Sequence, residues 1–567
     1  MSETLISAGV LTRENDSSFV SQQPVTVGAA IIGPTAKGPV EVPTIVTTYS
    51  QYQNIFGTTF TSGSGVYTYF TSIAAYNYFQ NGGLSLIVAR VVSGSYSSAT
   101  AAISGSDTSS SVTFETISKG SVMNSLSTLG TNGILPSGST DNVRYQITNS
   151  NTSSGTFDLL IRRGDDTTLT PTVLETWTNL SLDPFAPNFV AKAIGDQNYN
   201  YASSGTSYYL EITGSFPVNS KYLRVKSVDR PTPNFLDNNG TAKAQYTSSI
   251  PVNASGAFSG ATGGIMGGAQ YYNTIIDGNK SQGIPSASYD NMINLLSNTD
   301  DYKFNILTTP GLFNSLHSSQ ITSIISNTQN RGDNLFVLDL VTYNSQVSTA
   351  VSQAESTNTS YAASYWPWVQ LKDPDSGQQV WTPASTVIPG VFAFNDAVAE
   401  PWFAPAGINR GGLSTVIRAE RKLAQSDRDT LYNGKVNPIA TFPGQGTVVY
   451  GQKTLQKKAS ALDRVNVRRL LITLKSFISQ IAQNLVFEQN TAVTRNNFLS
   501  QVEPYLTSVQ QRQGLYAYKV VMDDTNNTPD VIDRNQLIGQ IYIQPTKTAE
   551  FIYLDFNITP TGATFPA

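Results

Sequence analysis

Apolar and polar positions alternate differently in successive parts of the chain. Val25–Gly33 is an apolar run followed by the turn pairs Gly33-Pro34 and Gly38-Pro39, which predicts a buried strand. Tyr67–Gln80 has helical character and stops at Asn81-Gly82-Gly83, a pattern suited to a helix C-cap. Leu84–Val92 predicts a second buried strand. From Ser93 to about Pro231 the apolar runs shorten. Val112–Ile117, Arg144–Thr148, Phe157–Arg162 and Tyr208–Thr213 lie among Ser, Thr, Gly and Asn, which predicts a β-rich barrel or sandwich inserted into another domain. Gly256–Gly268 reads as a flexible linker. Beyond Tyr289 the order Phe304–Leu307, Ser318–Gln329, Leu335–Val341 predicts strand, helix and strand, a β-α-β unit.

The longest periodic element covers Ala461–Glu488. Val467, Leu470, Leu471, Leu474, Ile478, Ile481 and Leu485 form one apolar stripe. At about 100° per residue, Arg464, Arg468 and Lys475 line one border of it. Ser460 is the expected N-cap, with Asp463 in capping-box position. A second helix is expected over Arg495–Gln510, with Pro504 as a kink or boundary. Ile538–Ile543 and Glu550–Ile558 read as closing strands. In the latter, Ile552, Leu554, Phe556 and Ile558 share a face. The first twenty or so residues are polar and read as an arm.

The 567 residues are enough for several domains, and 39% hydrophobic content supports real cores. Charged residues make up only 13%, about half the usual share. Weakly charged polar surfaces suit contact between copies, since little charge needs desolvating. A net charge of −4 gives no reason to expect nucleic-acid binding. Cysteine is absent, which excludes disulfides and thiolate chemistry. The start, Met1-Ser2-Glu3-Thr4-Leu5, lacks the basic and apolar regions of a signal peptide, and Lys475 breaks the apolar run Leu470–Ile478. These features predict a soluble protein used without export or membrane insertion.

Catalytic chemistry is thin. His317 is the single histidine, so a surface or capping role is expected and no His-pair metal site is possible. No P-loop sequence occurs. Asp373-Pro374-Asp375-Ser376-Gly377 lacks the later ligands of a calcium loop and reads as a tight turn. Arg163-Gly164-Asp165 and Arg331-Gly332-Asp333 read as turns and not as adhesion signals. No catalytic, cofactor or metal residue is assigned. The strongest chemical signal is charge. Between Gly451 and Met522 stand ten Lys/Arg and three acids, a surplus of seven positives in an acidic chain. It predicts either a solvated helix face or a docking surface for an acidic partner.

Several motifs then point to a family. Pro401-Trp402-Phe403-Ala404-Pro405-Ala406-Gly407, Val436-Asn437-Pro438-Ile439, Val465-Asn466-Val467-Arg468-Arg469-Leu470-Leu471 and Ala549-Glu550-Phe551-Ile552 occur in that order. With them the chain resembles the contractile tail sheath proteins of myophages. Ser7-Ala8-Gly9-Val10 is similar to the family's arm motif, with Ala8 where Pro is usual, and Tyr361–Trp368 resembles its Tyr-Ala-Ala…Tyr-Pro-Trp stretch. Two departures are Gln489 in Glu488-Gln489-Asn490, where Pro is common, and Tyr450 in Tyr450-Gly451-Gln452-Lys453-Thr454, where Trp is common.

The resemblance implies an α+β and α/β multidomain fold. A discontinuous inner α/β domain would be built from both chain ends, with β-rich outer domains inserted and extended N- and C-terminal arms. The expected divisions are an arm at 1–22, core segments at 23–92, an inserted β-rich domain at 93–231, a middle α/β domain at 232–385, the C-terminal inner domain at 386–545 and a closing strand and arm at 546–567. Arms marked by Val10, Leu11 and Thr12, and by Ile552, Leu554, Phe556 and Ile558, would add strands to neighbouring copies. Arg464, Arg468, Lys475, Arg495 and Arg512 would face the tail tube. The subunit would form six-fold stacked rings in the phage tail, together with tube, baseplate and tail terminator proteins, after assembly in the host cytoplasm. It would act by contraction, with no enzyme activity and no direct nucleic-acid contact. Alternatives are a sheath of a bacteriocin or secretion machine, or a tail-associated glycan hydrolase with an aromatic-rich β domain, given 28 Tyr.

Overall fold

The apolar runs at both ends of the first segment become neighbours. β1 (Val27–Gly33) pairs in parallel with the strand at Leu86–Arg90, and that strand pairs with an antiparallel edge strand, β2 (Thr44–Val46). The Leu86–Arg90 strand is β3. The computed structural model describes residues 27–62, 65–126, 128–264 and 276–553. Its main sheet adds β4 (Phe304–Phe313), β5 (Leu335–Asp339), β6 (Ala362–Trp366), β7 (Val436–Phe442) and β8 (Gly446–Val449). The order is β2-β3-β1-β4-β5-β6-β7-β8, parallel from β3 to β7 and antiparallel at both edges.

Both faces of this sheet are covered, which is why its strands read as unbroken apolar runs. Ala29, Ile31, Leu335 and Val337 face one core, with α1 (Phe70–Gln80) and, later in the chain, the helix at Ile388–Val398. Ala30, Ile32, Phe336 and Leu338 face the other, with α2 (Ser318–Arg331). The Ile388–Val398 helix is α3. The β4-α2-β5 unit matches the predicted β-α-β, although β4 continues past Leu307 through Pro310-Gly311 with a register shift. Residues on both sides of 385 share this sheet, because Ser364 pairs with Val436 and Trp366 with Pro438. The expected division at 385/386 therefore crosses a single structural unit.

The inserted β region forms a second body. Strands Ser98–Ser104, Ser110–Lys119 and Leu223–Val228 make one sheet; Val143–Asn151, Thr156–Arg163, Val173–Ser181 and Ala254–Ala257 make another. Phe114, Phe157, Leu159, Ile161 and Phe258 pack between them. This corrects two expectations. The body continues past 231, and the first part of Gly256–Gly268 is a strand and core segment, not a flexible linker. Gly256 is there for close approach: a Cβ would stand 2.6 Å from the Tyr145 hydroxyl oxygen. The remainder, 265–268, lies outside the described residues.

A third body closes the chain. α4 (Gln425–Asn433) still packs on β7. The third body begins with α5 (Val465–Gln483) and α6 (Ala492–Gln511), followed by the hairpin of β9 (Leu515–Val521) and β10 (Gln540–Pro545). Leu470, Leu474, Ile481, Phe498, Val502 and Leu506 form its core. The periodic stripe thus becomes a buried face, as expected. The boundaries differ: Ser460 caps a single 3₁₀ turn at Ala461–Asp463, Arg464 holds the N-cap position of α5, and α5 ends at Gln483 rather than near Glu488. Pro504 lies within α6.

Candidate assembly surface

The five basic residues expected to face a partner are in five different settings. Arg468 is only 3% exposed. Its guanidinium lies 4.0 Å from the Tyr361 ring centroid and donates to the Ser360 hydroxyl. Burial pulls its pKa down. Lys475, two turns later, is exposed and its Nζ reaches the Tyr361 hydroxyl at 3.5 Å. Tyr361 therefore joins two members of the predicted helix border. Arg495 is buried and pairs with Asp524 at 2.7 Å. Arg512 is exposed and pairs with Glu400 at 2.7 Å. Arg464 is half-buried and pairs with Asp463 at 2.8 Å and Glu550 at 2.7 Å. A continuous row of five free cations is not what the fold makes.

The reason lies in carboxylates from outside the basic window. Asp396 and Glu400 come from before it, and Asp524 and Glu550 from after it. They pair with Arg469, Arg512, Arg495 and Arg464 respectively. Counting charge along the sequence could not see these partners. Glu550 belongs to the Ala549-Glu550-Phe551-Ile552 motif, but no spacing rule links it to Arg464. Of the basic residues between Gly451 and Met522, Lys457, Lys458, Lys475 and Lys519 are exposed and form no ion pair among the described residues.

Beside this surface lies a groove of about 1230 Å³ between the main α/β body and the C-terminal body. Trp402, Phe403, Tyr432, Tyr450, Leu515 and Tyr516 contribute to its walls. The Trp402 indole donates to the Arg512 carbonyl at 3.0 Å, and Asn466 donates to the Trp402 carbonyl at 3.2 Å, so the Pro401–Gly407 motif bridges the two bodies. The segment Thr546–Ile552 runs along the groove. Thr546 donates to the Gln513 carbonyl at 2.7 Å, and Gln452 donates to Thr548 at 2.7 Å and to Glu550 at 3.1 Å. Burial alone would raise the Glu550 carboxyl; hydrogen bonds from Arg464 and Tyr432 outweigh it and hold the pKa below its ordinary value. Burial, with Lys435 and Arg464 nearby, pushes Lys453 down to about 8.

Of the predicted arm residues, Ile552 is described and is exposed, beyond the last strand. The described part of the expected strand at Glu550–Ile558 is not paired in any sheet. Val10, Leu11, Thr12, Leu554, Phe556 and Ile558 lie outside the described residues.

The other polar residues weighed from the sequence are used internally. His317 is buried at the start of α2. Its Nδ1 accepts from the Phe313 amide at 3.0 Å and its Nε2 lies 2.9 Å from the Asp277 carbonyl. Asp373 accepts from the Asp375 and Ser376 amides within its own turn. Arg163–Asp165 and Arg331–Asp333 pair within their turns. Among the described residues no cluster of His, Asp or Glu could hold a metal ion, and no helix is long and apolar enough to cross a membrane.

Residues 286–455 match the family model for the phage tail sheath protein central domain, and residues 457–559 match that for the phage tail sheath C-terminal domain. Over this span the chain is similar to phage tail sheath proteins. It is 42% identical over 216 residues to the tail sheath protein of Vibrio phage KVP40, covering 38% of this chain and 32% of that protein. It is also 42% identical over 185 residues to the tail sheath protein of Enterobacteria phage T4, covering 33% and 28%. The matched region is thus about a third of the length of these relatives. The sheath tail protein of Listeria innocua shares the fold, with a TM-score of 0.53 at 10% identity over 92% of this chain and 96% of that one.

Proposed function

We propose that this chain is the structural subunit of a contractile phage tail sheath. Copies assemble as stacked six-fold rings around a tail tube in a metastable extended state. Contraction, triggered at the baseplate, drives the tube through the host envelope for genome delivery. The single observation that carries this reading is the consecutive match of residues 286–559 to the central and C-terminal domains of the sheath family. The tube, baseplate and tail terminator proteins are its partners, the virion tail its location and the host cytoplasm its place of assembly. It works by subunit packing, without enzymatic chemistry, nucleic-acid contact or membrane insertion.

The arms at 1–22 and 546–567 link copies by strand addition. In support, β9 and β10 form a two-stranded sheet whose outer edges are unpaired among the described residues, and such edges accept a donor strand. Phe551, Ile552 and Tyr553 leave the subunit body exposed. The inner face toward the tube includes the basic border of α5. Lys475 and Arg512 present accessible charge there, while Arg464, Arg468 and Arg495 shape the face from within. Exposed pairs are worth about 0–1 kcal/mol each, which suits a contact that releases during contraction.

Electron microscopy of the purified full chain tests the assignment: long tubes are expected, and discrete particles that degrade glycan would overturn it. Removing residues before Gln22 should leave a folded subunit that no longer polymerises. Lys475→Glu combined with Arg512→Glu should reduce assembly around a tube while tube-free polymer still forms, and added salt should mimic this.

A further inference from the structure

Residues 546 to 550 attach to the subunit at every second position. Thr546, Thr548 and Glu550 bond to the body through their side chains, Thr548 while remaining exposed, and Lys547, Ala549 and Phe551 are exposed between them. This is the alternation of an extended peptide, but side chains and not a β-ladder hold it. Glu550 is the end point. Its Oε1 accepts from Arg464 Nε at 2.7 Å and from Gln452 Nε2 at 3.1 Å. Its Oε2 accepts from Tyr432 Oη at 2.8 Å and from Arg464 Nη2 at 3.1 Å. All three donors belong to the α/β side of the groove. Tyr432 lies on α4, Gln452 follows β8 and Arg464 precedes α5. Two of them are fixed in turn. Arg464 is oriented by Asp463, and the chain beside Gln452 is tied to β7 through Asn437, which accepts from the Lys453 amide at 2.6 Å.

We propose that Glu550 anchors the C-terminal segment to the α/β body, and so sets the place from which the residues after it reach a neighbouring copy. This rests on the sheath-subunit reading, with its arm exchange. The physical need is plain. Among the described residues β10 pairs only with β9, and a two-stranded hairpin is marginal by itself. Tension applied at Pro545 would open that ladder one pair at a time. With Glu550 held by a bidentate arginine, tension on the arm passes into the α/β body before it reaches β10. Three large exposed side chains, Phe551, Ile552 and Tyr553, begin immediately after the anchor, so the anchor divides the bound part of the segment from the part free to engage another copy.

The test uses the full chain and three variants: Glu550→Gln, Tyr432→Phe and a truncation after Ala549. Glu550→Gln should leave thermal unfolding nearly unchanged, raise backbone hydrogen exchange over residues 546–553 by about tenfold, and raise the critical concentration for polymerisation by a similar factor. Tyr432→Phe should shift both readouts the same way by less. If Glu550→Gln fails to fold, Tyr432→Phe decides. Unchanged exchange and polymerisation in the folded variants would overturn the anchor. The truncation separates the anchor from arm exchange. If the truncated chain still polymerises normally, arm exchange itself is wrong. If truncation abolishes polymers while Glu550→Gln does nothing, the arm reading stands and the anchor falls.

Discussion

Arg469 and Asp396 are 73 residues apart in sequence and 2.5 Å apart in space. The pair joins α5 to α3, and the same guanidinium lies 4.7 Å from the Phe392 ring centroid. Through it the C-terminal body is fastened to the main sheet. The Arg469 side chain is only 4% exposed, so it depends on this carboxylate. Asp396→Ala should cost about 2–3 kcal/mol, because a buried cation loses its partner. Asp396→Asn, which keeps an acceptor oxygen, should cost less. Urea unfolding of both variants checks this, and a loss under about 0.5 kcal/mol for the alanine variant would show the pair to be incidental.

The inserted β body enters and leaves through one neck. The Ser97 amide donates to the Thr262 carbonyl at 3.1 Å, and the Thr262 amide donates to the Ser97 hydroxyl at 2.8 Å. Replacing the residues between Ser97 and Thr262 with a short Gly/Ser linker should therefore preserve the main sheet. We expect such a chain to fold and still polymerise, as judged by circular dichroism and electron microscopy. The same deletion ended at 231 should fold poorly, since it strands Ala254–Ala257 without its partner Val143–Asn151.

Asp339 is a fully buried carboxyl beside Ser385, whose amide donates to it at 3.1 Å and whose hydroxyl donates as well. Burial pushes its pKa up to about 7, with the Ser385 bonds pulling partly back. A raised carboxyl stabilises the fold most at low pH. Its contribution is full below the unfolded value near 4, declines as the unfolded chain ionises, and is gone above about 7. Asp339→Asn should match the parent near pH 4 and gain roughly 2–4 kcal/mol over it by pH 8. Thermal unfolding across that range reads the difference between the two proteins. A constant difference would show that the carboxyl does not titrate there.

The C-terminal body has its own core. Phe477 on α5 and Tyr505 on α6 stack with ring centroids 3.8 Å apart, and Leu506 in the same core is fully buried. Leu506→Ala should destabilise by about 2–5 kcal/mol. Hydrogen exchange should rise first in α6, β9 and β10 and leave β1 and β4 protected. Equal loss of protection in the main sheet would show that the two cores unfold as one.

What local periodicity encodes was readable in advance. β1, β3, β5 and α2 follow from apolar runs and turn residues, because strands buried on both faces and amphipathic helices leave their period in the chain. The stripe on α5 and the strands around Phe157–Arg162 were legible for the same reason. Pairings between distant segments were not. Nothing near Val436 announces that β7 continues the sheet beside β6. Gly256 looked like flexibility until Tyr145 was seen against it. The same limit governed the charged face. A surplus of seven positives was real along the sequence, but Asp396, Glu400, Asp524 and Glu550 reach it from 29 to 112 residues away. Side-chain period is a local property, set by backbone geometry within a few residues. Which carboxylate neutralises which arginine depends on distances of a few ångströms that exist only after the bodies pack, and that was decided by the tertiary structure alone.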